Sequence, residues 1–457
     1  MKNKLLYWRI KKSPVKVSPA QIIVLGYIVF TVLGALLLSL PISLNPGVEL
    51  SFIDALFTAT SAISVTGLTV VSTVETFSIA GRGFLLFLLQ FGGIGIMTLG
   101  TLIYVLRGNQ INLRERMMIR VDQNQTSLGG MVNLMLFIFK VAVVFELLGT
   151  LILTIHFINN LGMSFLDALG MAFFHSVSGF TNTGLALFDN SLQNFSQDYV
   201  VQNVMFVLLI AGAIGFPVLL ELYSNIKARR SLNRLKFSLY TKVTTITFGL
   251  LLVAGFIVVL VAEFDGPLAG MPWHQKIWVA LFQSLTTRSG GFSTVDISVF
   301  QQSTLLFFCL LMFIGASPSS CGGGIRTTTL AVLVFSMFAI IRGKTSVKVY
   351  RRELFQEDIM RANTVFFISI CLVIGSVILL SILENATLME ILFETCSAFG
   401  TTGLSLGITA GLSTAGKVVM IFLMFVGRIG IVALMLVFHK RNPEDRYHYI
   451  KEHLIIG

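Results

Sequence analysis

Charged residues are scarce in this chain. Only 12% of the 457 residues are Asp, Glu, Lys or Arg, about half the share in a soluble domain. With 55% hydrophobic residues and a mean hydropathy of +0.85, a soluble fold has nowhere to put the apolar surface. An integral membrane protein remains. Cysteine is equally sparse. Cys309, Cys321, Cys371 and Cys396 form no C-x-x-C pair, and three of them lie in or beside apolar segments, which favours buried free thiols over a disulfide framework. No Walker motif occurs, so this chain drives no pump with ATP. "GGIGIMTLG" (Gly92–Gly100) misses G-x-G-x-x-G and lies inside an apolar span, which excludes a dinucleotide site. "GASPS" around Ser317 has the form of an intramembrane serine nucleophile. That chemistry needs a His base, and nothing in the sequence places His156 or His175 beside it. The chain does not read as an enzyme.

Basic residues are nearly missing from half of the loops, and this sets the orientation. Of the 33 Lys and Arg, 26 lie in five clusters: the N-terminal tail, 107–120, 227–242, 342–361, and from Lys440 onward. The stretches 42–80, 159–199, 263–302 and 385–417 hold only Lys276, Arg288 and Lys417. They carry acids instead, among them Asp54, Asp189, Asp296, Glu390 and Glu394, and a negative outer face attracts cations. By the positive-inside rule the tails 1–19 and 439–457 and the loops 107–131, 224–242 and 342–363 are cytoplasmic. The net charge of +11 is therefore an orientation signal and not a nucleic-acid surface. The run Ile22–Leu40 is long enough to span and no A-x-A site follows it, so it reads as a retained first helix. The expected location is the cell membrane, crossed many times.

Apolar spans fall near 20–40, 82–106, 132–158, 200–223, 243–262, 303–341, 364–383 and 417–438. They group into repeat 1 (20–106), repeat 2 (132–223), repeat 3 (243–341) and repeat 4 (364–438). Each outer stretch opens with a helix start. "SFID" (Ser51–Asp54), "SFLD" (Ser164–Asp167) and "TLME" (Thr387–Glu390) are capping boxes, and Pro272 suits a first turn in the third stretch. Each then turns at a glycine: Gly67 in "SVTGLT", Gly184 in "FTNTGLA", Gly291 in "TRSGGFST", Gly403 in "GTTGLS". The intervals of 117, 107 and 112 residues mark an internal repeat. A helix of about 15 residues is about 22 Å long, too short for a bilayer of about 30 Å. Each stretch must dip into the membrane and turn back, which is tolerated only inside protein or beside water.

The helices that follow share a G-x-I-G phrase, at Gly93, Gly212 and Gly427. Gly93, Gly95, Gly100 and Gly430 fit close helix packing. Repeat 3 departs with "GASPSSCGGGIRTTT" (Gly315–Thr329) inside the 39-residue run 303–341, so an unwound segment must lie there. Four half-helices around one axis aim C-terminal ends, each with about half a negative charge, at the membrane centre. Glycine turns leave the axis open and present carbonyls, which replace the hydration shell of a cation. The hydroxyls of Thr66, Thr183, Ser289 and Thr402 would add oxygens. No carboxylate lies in these phrases, which argues for monovalent cations. The expected fold is an all-α integral membrane protein of four helix–pore-loop–helix repeats in pseudo-fourfold arrangement around one pore, with Gly67 and Gly403 as neighbours.

The four repeats, "TNTG", "TRSGGFST", the Gly-rich break of repeat 3 and the Arg of "VGRIG" together resemble the ion-conducting subunit of the Trk/Ktr/HKT superfamily of potassium transporters, most closely the bacterial Ktr type, over about residues 20–438. The resemblance implies potassium uptake, with K⁺ as the transported ion, Na⁺ as a candidate activator and no covalent cofactor. It implies a selectivity filter at Thr66, Gly67, Thr183, Gly184, Gly290, Gly291, Thr402 and Gly403. The third wall is open by one residue, because Gly290 stands where the family more often has Ala. It implies an intramembrane gate of Gly315, Ala316, Ser317, Pro318, Ser319, Ser320, Cys321, Gly322, Gly323 and Gly324 within a loop at 315–328. Arg428 would be a positive barrier below the filter, its alternative being a structural ion pair; Arg326 is equally open. Homodimerisation is implied too, with docking on a cytosolic nucleotide-binding (RCK/KTN-type) ring. The basic inner loops and the C-terminal tail offer surfaces for it. The rival reading, an alternating-access secondary cation transporter, would usually have inverted repeats; here all four run the same way.

Overall fold

The computed structural model describes residues 18–106, 111–123, 129–229, 237–438 and 452. The N-terminal tail before Ser18, the C-terminal docking tail except Glu452, and parts of the loops 107–131 and 224–242 lie outside the described residues.

Four helices are long and apolar enough to cross a membrane alone: Pro19–Leu38, Met131–Leu161, Leu239–Ala262 and Gln356–Leu383. Each is followed by a short helix, Phe52–Ile63, Phe165–Phe180, Trp273–Thr286 and Leu388–Gly400, of 12, 16, 14 and 13 residues. At 1.5 Å per residue these reach about 18–24 Å. Their starts are capped as the sequence suggests, with a difference in detail. The hydroxyls of Ser51, Ser164 and Thr387 accept from the backbone N–H three residues on. Of these three caps, only that of Glu390 returns the bond to its own cap N–H; Asp54 and Asp167, one methylene shorter, take the cap hydroxyl instead. Pro272 is the N-cap itself rather than a first-turn residue.

The short helices are almost wholly buried toward their C-terminal ends. Three apolar cores pack around them, while aliphatic side chains such as Leu250, Ile378 and Ile382 stand exposed on the long helices, as a lipid-facing surface requires.

The second helices depart from the continuous spans expected from hydropathy. Ile79–Ile94, Tyr199–Ala213 and Thr414–Ile429 each break, and the chain continues at 100°, 102° and 93°. The breaks fall at Gly95, Gly215 and Gly430, with φ of 101°, 99° and 83°. Gly95 and Gly430 are thus breakpoints; Gly95 is also closely packed, a Cβ there falling 2.5 Å from an Asp122 carboxylate oxygen, whereas Gly430 has open space around it. The glycines packed on the short helices lie three residues earlier. A Cβ on Gly92, Gly212 or Gly427 would sit 2.1–2.3 Å from the carbonyl oxygen of Ile63, Phe180 or Phe399, at the end of a short helix. The shared phrase therefore starts at Gly92 rather than Gly93, which packs on Thr181. In the remaining case the break widens into the loop between Gln302–Phe313 and Thr327–Ile341. Thr327 and Thr328 belong to the second of these helices, so the loop ends two residues before the expected 328. The stretch 107–131 contains a helix, Leu113–Asp122, and 342–363 contains a hairpin pairing Lys348–Val349 with Arg352–Glu353.

The two glycine classes separate by mutation. Gly430 has open space around its Cβ position, so Gly430→Ala should cost only the backbone strain of φ 83° with ψ 146°, about 1–3 kcal/mol. Gly427→Ala must also displace the Phe399 carbonyl and should lower thermal stability in detergent by more. Equal losses would contradict the assignment.

Candidate functional site

The four glycine turns meet. Each short helix ends in one backbone pattern: a non-glycine residue at positive φ, one ordinary residue, then the glycine at positive φ. The leading residues are Val65, Asn182, Ser289 and Thr401, at φ 60°, 60°, 64° and 47°; the glycines Gly67, Gly184, Gly291 and Gly403 lie at 87°, 77°, 75° and 91°. Val65 is β-branched, so its left-handed backbone is strained, and such strain persists only where the surroundings impose it. Gly291, not Gly290, occupies the glycine position of the third turn. Gly290 is instead tight against Thr286, which closes the one-residue ambiguity of the sequence.

The turns interlock in a cycle. A Cβ on Gly67 would lie 1.8 Å from the carbonyl oxygen of Thr183; on Gly184, 2.9 Å from that of Gly290; on Gly291, 2.5 Å from that of Thr402; on Gly403, 2.2 Å from that of Thr66. The glycine of each wall thus meets the preceding-residue carbonyl of the next wall, and the fourth returns to the first. No larger residue fits at any of the four. Gly67 and Gly403 are neighbours despite their separation in sequence. The hydroxyls of Thr66 and Thr183 pair with Ser64 and Thr181 of their own turns, at 2.7 and 2.9 Å, so the ring is lined by backbone carbonyls more than by hydroxyls.

Around the ring, a hydrogen bond or ion pair joins every adjacent pair of walls. Ser72 donates to Asp189 at 2.7 Å, Leu192 N–H to the Ser293 carbonyl at 3.0 Å, and Ser289 to the Gly400 carbonyl at 2.9 Å. Lys417 meets Asp54 at 2.6 Å, closing wall four on wall one. A cavity of about 440 Å³ has the four glycines in its lining, together with Asp189 and Asp296.

Below the ring lies the loop 314–326, with Gly322 against Ser289 and Gly323 against Thr401. All ten expected gate residues are in it. Its backbone binds the broken helix ends of the other units. Ser317 and Cys321 N–H donate to the carbonyls of Ala213 and Gly212 at 3.2 and 3.0 Å, Phe216 N–H donates to the Ser319 carbonyl at 2.8 Å, and Gly324 N–H donates to the Gly427 carbonyl at 3.2 Å. Arg428 is 8% exposed and donates to carbonyls of Cys321, Gly322, Gly92 and Gly93. These partners are carbonyls, not the carboxylate an ion pair would require. Arg326 likewise donates to the loop's own Ser317 and Gly322 carbonyls.

Arg288 reads in the sequence as an outer-loop charge. In the structure it is fully buried and donates to the Leu311 and Ile314 carbonyls, both at 3.0 Å, and to the Gly315 carbonyl at the start of the loop. Its one sequence signal is its place inside "TRSGG". Glu146, in a spanning helix, is buried and accepts from Gln90. Among the described residues Ser317 has no histidine beside it: His175 bonds Met171 and Leu187, and His156 bonds Asp198. The helix Leu113–Asp122 reaches the same region. Asp122 accepts from Thr98 at 3.3 Å, and the Ser319 hydroxyl donates to the Gln123 carbonyl. Burial pushes the Asp122 carboxyl up to about 6, against the pull of Arg428.

This is a multi-pass, all-α membrane protein whose four glycine turns meet in one ring. The family described as "Cation transport protein" (TrkH) matches residues 3–450, and the chain belongs to that family. It is a transporter, not an enzyme. It is 49% identical to Ktr system potassium uptake protein D of Bacillus subtilis, over 96% of this chain and 97% of the relative. It is 37% identical to Ktr system potassium uptake protein B of the same organism, over 97% of each. It is 33% identical to the potassium/sodium uptake protein NtpJ of Enterococcus hirae, over 98% of this chain and 99% of that one. The crystal structure of the potassium transporter TrkH from Vibrio parahaemolyticus has the same fold: TM-score 0.73 at 19% identity, covering 94% of this chain and 86% of that one.

The raised Asp122 carboxyl gives a pH prediction. A carboxylate whose folded pKa lies above its unfolded value opposes folding increasingly as pH rises from about 4 to 6, and fully above that. Asp122→Asn removes this term, so the variant should be more stable than the parent at pH 7.5, by up to about 3 kcal/mol, with the gap closing near pH 4. A gap independent of pH would contradict the burial argument.

Proposed function

We propose that the chain takes up K⁺ through the glycine ring, acting as a selectivity filter. The observation that carries this is the cyclic fit of the Thr183, Gly290, Thr402 and Thr66 carbonyls against Gly67, Gly184, Gly291 and Gly403. Alternating left-handed and ordinary backbone turns successive carbonyls to one side, which is what replacing a cation's hydration shell requires. The relatives' names, potassium uptake and potassium/sodium uptake, agree with a K⁺-preferring filter that passes some Na⁺; Na⁺ is the proposed activator. The membrane potential supplies about 2.3 kcal/mol per charge per 100 mV. Asp189 and Asp296 in the outer cavity raise the local cation concentration.

The loop 314–326 is the gate in this reading, held shut by its bonds to two helix breaks, with Arg428, which also reaches the Gly92 and Gly93 carbonyls of the remaining break, as latch and as positive barrier. A homodimer docked on a cytosolic nucleotide-binding ring remains the expected assembly. The "Ktr system" names of the relatives support a partner subunit. The alternating-access reading is disfavoured because all four glycine turns contribute to one ring.

Expression in a K⁺-uptake-deficient host at low external K⁺, with and without Na⁺, tests the reading. The parent should restore growth, and Gly403→Ser should lower the K⁺-to-Na⁺ uptake ratio while protein level holds. An unchanged ratio would remove the glycine ring from selectivity. Deleting Ser317–Gly323, or Arg428→Gln, should raise K⁺ flux if the loop is a gate; lost or unaltered flux in folded protein would contradict gating.

A further inference from the structure

The descending limbs that leave the ring are braced from behind at one register of the short helices, three residues before the Ser or Thr that faces the turn. In wall four that residue is Glu394, 1% exposed. Its Oε1 accepts from the Ser405 hydroxyl and from the Leu406 N–H, the latter at 3.1 Å; its Oε2 accepts from the Thr409 hydroxyl at 2.8 Å. All three donors lie within six residues after Gly403. At the same register His175 accepts from the Leu187 N–H at 3.2 Å, and Gln283 donates to the Thr294 hydroxyl at 3.3 Å. Thr58, the counterpart in wall one, donates to Asp54 of its own helix. Wall four therefore has the densest brace, and Glu394 ties two of the limb's hydroxyls and one of its N–H groups to the short helix.

We propose that Glu394 is a positioning residue for ion selectivity: it sets where the Thr402–Gly403 wall stands, and so how well the ring discriminates K⁺ from Na⁺. The reason is geometric. The Thr402 carbonyl sits against Gly291 and the Gly403 turn against Thr66, so a shift of wall four moves both of its contacts in the ring. A burial role alone would need volume at this position, not three acceptor contacts. The inference rests on the filter reading and adds a residue that touches no ion.

The test uses the full chain in the K⁺-uptake-deficient host and in proteoliposomes, with Rb⁺ and Na⁺ flux measured separately. Glu394→Gln keeps acceptor and donor capacity for all three partners, since the Thr409 hydroxyl can accept from the amide. It should retain the parent's flux ratio. Glu394→Leu keeps the volume and loses the bonds, and should lower the K⁺-to-Na⁺ ratio about fivefold or more, the scale of one lost hydrogen bond, while total cation flux persists. If Leu lowers both fluxes equally with the ratio intact, the role is structural and the inference fails. If Gln fails as badly as Leu, hydrogen bonding is not what matters and the inference also fails. Gly403→Ser run in parallel separates the two levels: a ratio altered by Gly403→Ser but not by Glu394→Leu overturns only this inference, whereas no response to Gly403→Ser overturns the filter reading itself.

Discussion

A helix that ends inside a bilayer leaves its last carbonyls without partners, and hydrocarbon offers none. Among the described residues this fold ends four short helices at the ring and three broken ones beneath it. Nearly everything else in the molecule answers that constraint. The glycines of the G-x-I-G phrases let the second helices approach the ends of the short ones. The loop 314–326 supplies N–H groups to Gly212, Ala213 and Gly427. Buried arginines take several of the carbonyls that remain, Arg288 at the end of one helix and Arg428 between two units.

Satisfying these carbonyls also arranges the site. In the proposed filter, carbonyls that face the axis are left for an ion; carbonyls away from it are bound by the loop and the arginines. On that reading the bonds that stabilise the breaks also hold a plug under the ring. Opening it means exchanging those bonds for others, so a gate built this way has a definite closed state rather than a continuum. The helix Leu113–Asp122 is linked to the loop through Gln123 and Ser319, which gives that helix a direct contact with it.

Much of this was legible in the sequence, because its signals are local. Caps at Ser51, Ser164 and Thr387, and the glycines that follow them, are adjacent in the chain and recur in phase. The breaks at Gly95, Gly215 and Gly430 were not legible, since the apolar run continues across each and hydropathy carries no angle. Nor was the role of Arg288, Glu394 or Asp122. Each reads as a loop or surface charge until folding buries it against partners. Distance in the chain hides other contacts: Arg428 and Gly93 are 335 residues apart. The third wall could be placed by a residue only from backbone angles, because "SGG" offers two glycines and one of them carries the positive φ.

Rubidium is a close size match for potassium and scatters anomalously. A structure of the protein equilibrated with Rb⁺, with anomalous density measured, would locate the transported ion. A peak on the axis within coordination distance of the Thr66, Thr183, Gly290 and Thr402 carbonyls is the predicted result. Bound Rb⁺ elsewhere in the membrane, with none at the glycine ring, would contradict it.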